Sequence, residues 1–141
     1  MADSRDMRTL HLLFDVTPEI FATDSAGAFA FPLAVGGKAP VETEIYDEIR
    51  FVFSVWHPSG QKVIDLDRAY LELQGSFDPE EEHWTKLAEI EPVVAPYGTG
   101  ETFDGWIVLP VMAGRSAYAL VGSGFEPRSH LQIRASAYLV A

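Results

Sequence analysis

Three stretches of this chain alternate apolar and polar side chains with period two, and that alternation restricts the fold more than any other feature. Between Tyr46 and His57, Ile49, Phe51, Phe53 and Val55 fall on one face, and Arg50, Val52, Ser54 and Trp56 on the other. Between Asp67 and Ser76, Ala69, Leu71 and Leu73 alternate with Tyr70, Glu72 and Gln74. Between His130 and Val140, Leu131, Ile133, Ala135, Ala137 and Leu139 alternate with Gln132, Arg134, Ser136 and Tyr138. Successive side chains of a strand point to opposite sides of a sheet, so each stretch reads as a strand with one buried face. The second face of the first stretch is also partly apolar, which places that strand centrally. Ile49, Phe51, Phe53, Val55, Leu71, Leu73, Ile133 and Leu139 are expected to share one core.

Shorter segments repeat the pattern. Thr9 to Val16, Glu19 to Thr23, Ala28 to Val35, Val63 to Leu66, Trp84 to Val94, Phe103 to Met112 and Ser116 to Val121 all read as strands. Turn residues separate them, among them Thr17-Pro18, Asp24-Ser25-Ala26-Gly27, Pro58-Ser59-Gly60 and Ala113-Gly114-Arg115. Eight to ten short strands without a confident helix predict an all-β fold, an antiparallel two-sheet β-sandwich of jelly-roll type. Pro32, Pro92 and Pro110 favour open, managed edges over a closed barrel. Residues 9–141 are expected to form one domain, preceded by a polar arm at 1–8.

The length of 141 residues suits one domain with its own core. There is no cysteine, which excludes disulfides, thiolate metal sites and a cysteine nucleophile. A net charge of −11, from 21 acidic and 10 basic side chains, repels phosphate backbones and argues against nucleic acid. No apolar run is long enough to span a bilayer, and no signal peptide is visible, so no membrane partner is expected. Synthesis in the cytoplasm, followed by incorporation into a particle or release by lysis, is the expected route.

The run Leu73-Gln74-Gly75-Ser76-Phe77-Asp78 followed by Trp84-Thr85-Lys86-Leu87 resembles a hairpin of discoidin-like sandwich domains and of small β-sandwich proteins in tailed-phage virions. It covers about 20 residues. The intervening Pro79-Glu80-Glu81-Glu82-His83 lacks the glycine usual there, and the cysteine pair common in discoidin domains is absent. The resemblance implies a sandwich fold and, on its virion side, a structural role.

Few residues suggest chemistry. Asp78, Glu80 and Glu82 could contribute carboxylates to a calcium ion, although no defined calcium loop surrounds them and a solvated acidic loop is the simpler reading. His11, His57, His83 and His130 lack the spacing that puts two imidazoles on one metal from one element, and His57 reads as a turn residue. No nucleophile elbow or phosphate loop is present; Gly122-Ser123-Gly124 reads as a flexible turn. No cofactor is expected. The aromatics are the best binding candidates: Tyr97 between Pro96 and Gly98, Phe125 beside a glycine turn, Trp56 and Tyr70 on outward faces. Trp84 and Trp106 are expected to close the core.

Three functions fit. The first is a non-catalytic structural subunit or decoration module of a larger homo- or hetero-oligomeric assembly such as a virion. The second is a carbohydrate-binding module that takes glycans on exposed aromatics. The third is a small jelly-roll enzyme, which the missing catalytic motifs disfavour.

Overall fold

The computed structural model describes residues 10–34, 46–59, 62–77, 83–93, 98–111 and 115–141. Ten strands run through them: β1 (Leu10–Ala22), β2 (Phe29–Ala34), β3 (Glu48–Trp56), β4 (Ile64–Asp65), β5 (Tyr70–Ser76), β6 (Thr85–Ile90), β7 (Thr99–Gly100), β8 (Thr102–Pro110), β9 (Ala117–Ser123) and β10 (His130–Val140). Two four-stranded sheets result, in the orders β1-β10-β3-β8 and β2-β9-β5-β6, with a small ladder between β4 and β7. Every pairing is antiparallel. The expected all-β antiparallel sandwich is the observed fold.

The three alternating stretches explain the layers. Their apolar sets point inward, and all eight expected core residues are buried in one cluster. Phe51 of the first sheet meets Tyr118 of the second edge-on, with centroids 5.2 Å apart. Phe21 of β1 packs on Phe29 and Phe31 of β2 at 4.6 and 5.2 Å. β3 lies between β10 and β8, the central place its two-sided apolarity indicates.

The winding is regular. Among the eight longer strands in chain order, the first pairs with the eighth (β1 with β10) and the second with the seventh (β2 with β9). The third pairs with the sixth (β3 with β8) and the fourth with the fifth (β5 with β6). The chain is thus one long antiparallel ribbon, folded back at β5–β6 and rolled so that successive rungs alternate between sheets.

Two details differ from the sequence expectation. Thr17-Pro18 does not end the first strand: β1 runs on to Ala22, and the register against β10 slips between Val16 and Glu19. β1 is an edge strand, where a bulge absorbs a proline. Nor is Gly122-Ser123-Gly124 simply a flexible turn. Gly122 belongs to β9, and Gly124 has φ +74° with the Arg68 carbonyl only 2.0 Å from where a Cβ would sit. Gly27, at φ +76°, meets the Phe125 carbonyl in the same way at 2.0 Å. Only glycine fits such positions, and through them the loops at this end of the sandwich interlock. The arm at 1–8 lies outside the described residues.

Candidate interaction surface

The outward side chains of the first sheet fall into rows set by the strand register. One row runs Asp15, Ser136, Val52, Trp106 across β1, β10, β3 and β8. The next runs Leu12, Tyr138, Arg50, Val108. Trp106 is 61% exposed, and Leu12, Val52 and Val108 are exposed too. Val52 sits directly opposite Trp106, and together with Arg50, Glu48 and Val108 they line a shallow groove of about 460 Å³. The Arg50 guanidinium holds Glu48 at 3.2 Å along the groove. Beyond Trp106, the Asp104 carboxylate accepts hydrogen bonds from Ser54 Oγ and, at 2.7 Å, from Thr102 Oγ1. The surface therefore offers a flat indole, two valines and a row of satisfied polar groups.

Trp106 thus corrects the expectation that it closes the core. Its parity carried the signal: Phe103, Gly105 and Ile107 are buried, whereas Asp104, Trp106 and Val108 are not. An isolated tryptophan is easily assigned inward on composition, but alternation overrules composition in a regular strand. Trp84 is half-buried.

The other expected binding aromatics separate. Trp56 lies half-buried on the same outer face, in a row with Gln132 and Thr102. Tyr70 lies on the opposite side of the molecule, half-buried on the outer face of the second sheet, where its hydroxyl donates to Glu72 at 3.1 Å. Phe125 is not an exposed anchor. It is only 6% exposed, its ring packs on Phe29 and Phe103 at 5.4 and 6.3 Å, and its N–H donates to the Gly27 carbonyl. A loop phenylalanine with no strand periodicity gives no parity from which to read burial. Tyr97, Asp78, Glu80 and Glu82 lie outside the described residues.

His57, expected in a turn, follows β3 and is 3% exposed. Its Nδ1 lies 3.1 Å from the His130 carbonyl and 3.4 Å from Ser129 Oγ, and its Nε2 lies 3.9 Å from Glu126. The trio looks like a nucleophile, base and carboxylate, but the geometry does not serve that role. A carbonyl only accepts, so the hydrogen-bond network assigns the proton to Nδ1. The nitrogen facing Ser129 is then a donor and takes no proton from the hydroxyl. Thr23 completes the structural role: its Oγ1 donates to Glu126 O at 2.6 Å and accepts from Ser129 N–H at 2.9 Å. Among the described residues no three His, Asp or Glu side chains gather as a metal site.

The second sheet's outer face is built differently. Glu72 stands opposite Glu89 and Gln74 opposite Lys86. Lys86 donates to Glu89 at 2.6 Å and stands 5.7 Å over the Tyr70 ring, while Gln74 donates to Glu72 at 3.0 Å. The Lys86 hydrogen bond holds the Glu89 carboxyl below its ordinary range, and the reciprocal bond raises the Lys86 ammonium. On the β5–β6 half of this face the polar side chains bond one another. No protein-family model matches the chain, and no curated protein matches it in sequence.

Proposed function

We propose that the chain is a non-catalytic subunit of a larger protein assembly, of the kind that builds or decorates virus-like particles, and that it docks through the outer face of its first sheet. The carrying observation is the exposed Trp106, flanked by Val52 and Val108, on a face that offers it no covering side chain among the described residues. A cluster of exposed apolar side chains on an otherwise acidic protein supports an interaction surface, and tryptophan is among the side chains most enriched in binding hot spots. The strand order supports a jelly-roll reading of the sandwich, because pairing first with eighth through fourth with fifth is how a rolled ribbon becomes two sheets. The winding supports the fold type and says nothing about the partner.

The test is recovery from the native source. Many copies should co-purify with a particle, and Trp106→Lys should release the protein while leaving the unfolding midpoint of the dilute monomer unchanged. A free monomer in the source, indifferent to Trp106→Lys, overturns the reading.

Carbohydrate binding is the second reading. It is favoured by the exposed indole of Trp106 beside the Asp104, Ser54 and Thr102 oxygens, since sugars stack on aromatic rings while polar neighbours bind their hydroxyls. Saturable signal on a glycan array, abolished by Trp106→Ala, would establish it.

A further inference from the structure

The four edge strands of the sandwich are β1, β8, β2 and β6. Three carry the irregularities that discourage edge pairing. β1 slips register twice around Leu12–Phe14 and Val16–Glu19, β2 slips beside Pro32, and β6 slips where Leu73 and Gln74 of β5 face it. β8 pairs with β3 over nine residues without a slip. From Gly105 to its end at Pro110 it contains no charged residue, in a chain with 31 charged side chains other than histidine.

The hydrogen bonds at its ends show which groups β8 offers. In an antiparallel strand, the N–H and C=O of one residue point to the same side, and the side alternates from residue to residue. The Val111 N–H donates to Asp47 at 3.0 Å, so odd-numbered residues face β3. The Asp104 carbonyl accepts from Val93 N–H at 2.7 Å, on the side away from β3, so even-numbered residues face outward. Val93 covers the edge at Asp104, and Gly105 lets Ile90 and Glu91 approach closely. Among the described residues nothing pairs with the outward backbone groups of Trp106 and Val108.

We infer that β8 is the seam of a homodimer, in which a second copy of this chain joins antiparallel with Trp106 opposite Val108 of the second copy. This deepens the assembly reading by naming the partner, and it rests on that reading only for the expectation that the chain associates. The register is self-complementary. A two-fold axis at Ile107 brings two Trp106–Val108 pairs together, each exchanging both backbone hydrogen bonds. The same register would bring Pro110 of the second copy to Asp104, where Val93 already occupies the edge, so the bonded ladder ends at the two Trp106–Val108 pairs and Pro110, with no N–H to donate, lies where each strand turns away. On the outer face each indole would lie between Val52 of its own copy and Val108 of the other, so the seam gives it an apolar neighbour on its open side. No carboxylate faces another across the seam. The two sheets would merge into one of eight strands, closed by point symmetry rather than growing further.

Sedimentation of the purified full chain tests the dimer, and cross-linking tests its register. The unmodified chain should sediment as a dimer. Trp106→Lys should weaken dimerisation at least about thirtyfold, the factor expected for a hot spot. Val108→Pro should also abolish it, because the N–H it removes faces away from β3; circular dichroism, and an unfolding midpoint for Trp106→Lys equal to that of the unmodified chain at dilutions where both are monomeric, show that folding is intact. The chain has no native cysteine, so one chain carrying Trp106→Cys, mixed with one carrying Val108→Cys, should form a disulfide heterodimer in air. Facing residues of a bonded pair lie about 5.5 Å apart at Cα, within disulfide reach. Like residues are offset by two positions, about 8 Å apart and out of reach, so neither variant alone should link. A monomer at all concentrations, or linking as strong within one variant as in the mixture, overturns the inference. A monomer that still enters a particle through Trp106 would sink the seam alone, whereas a dimer that enters none would sink the assembly reading and leave the seam standing.

Discussion

The two outer faces of this sandwich sit on the same core, yet they handle their exposed side chains in opposite ways. On the second sheet, Glu72 faces Glu89 across the strand gap, a pairing that by itself repels. Lys86, Gln74 and Tyr70 resolve it by bonding one or the other carboxylate. On the first sheet, the corresponding pair of strands, β3 and β8, carries Val52 and Trp106, which leave their surface to whatever covers them. The contrast teaches that exposure alone does not identify a site. A face whose polar groups have already satisfied one another has little to gain from a partner, whereas an uncovered indole gains apolar burial.

Mutations can break or sharpen that contrast. The largest effect should come from beneath both faces. Phe53→Ala should cost about 3–5 kcal/mol in urea unfolding, the range for an emptied aromatic site, and a loss below about 1 kcal/mol would mean that the faces do not share one rigid core. Trp106→Ser should separate folding from binding: association should weaken by at least about 2 kcal/mol while unfolding, measured at dilutions where the chain is monomeric, moves by no more than about 0.5 kcal/mol. Glu72→Ala should do the reverse. It leaves the Tyr70 hydroxyl and the Gln74 amide without their acceptor and should cost about 1 kcal/mol of stability, with association unchanged. If Glu72→Ala weakened association as much as Trp106→Ser, the two faces would be equivalent and the contrast would fall.

The smallest effect is electrostatic. The Glu89 carboxyl is held below its ordinary value of 4.5 by Lys86. A lowered folded-state value means that the contribution is present above about that pH and is lost as pH falls through the lowered value. Glu89→Gln should therefore lower Tm slightly at neutral pH, and the difference should fade in acid. It should fade in about 1 M salt as well, because the pair is solvent-exposed and screened. A difference that persisted in both would point to a packing role for Glu89 instead.

Much of the fold was legible because alternation is a local signal. Ile49 to Val55 and Leu131 to Leu139 show their buried faces without any knowledge of neighbours. The edges were legible as well: Pro32 lies in edge strand β2, and Pro92 and Pro110 lie just after β6 and at the end of β8. What the sequence hid depends on partners distant in the chain. Phe125 is buried because Phe29 and Phe103 reach it, and His57 because Ser129 and His130 do. Strand Pro18 looked like a terminator because nothing local shows that β10 tolerates a slipped register beside it. Trp106 differs from these, since its parity with Asp104 shows its outward face in the sequence itself.

The pairing of β1 with β10 also has a consequence in time. Val16 and Ala135 are register partners about 120 residues apart, and β10 lies in the interior of its sheet, between β1 and β3. At roughly 5–20 residues per second of synthesis, β1 waits on the order of ten seconds before its neighbour emerges from the ribosome. Until then β3 and β1 have no strand between them, and the first sheet has no middle. The β5–β6 hairpin can form at once, but β9 and β10 must arrive before either sheet is whole. A nascent chain therefore spends most of its synthesis with the inner faces of β1 and β3 uncovered, the interval in which a chaperone would find the most to hold.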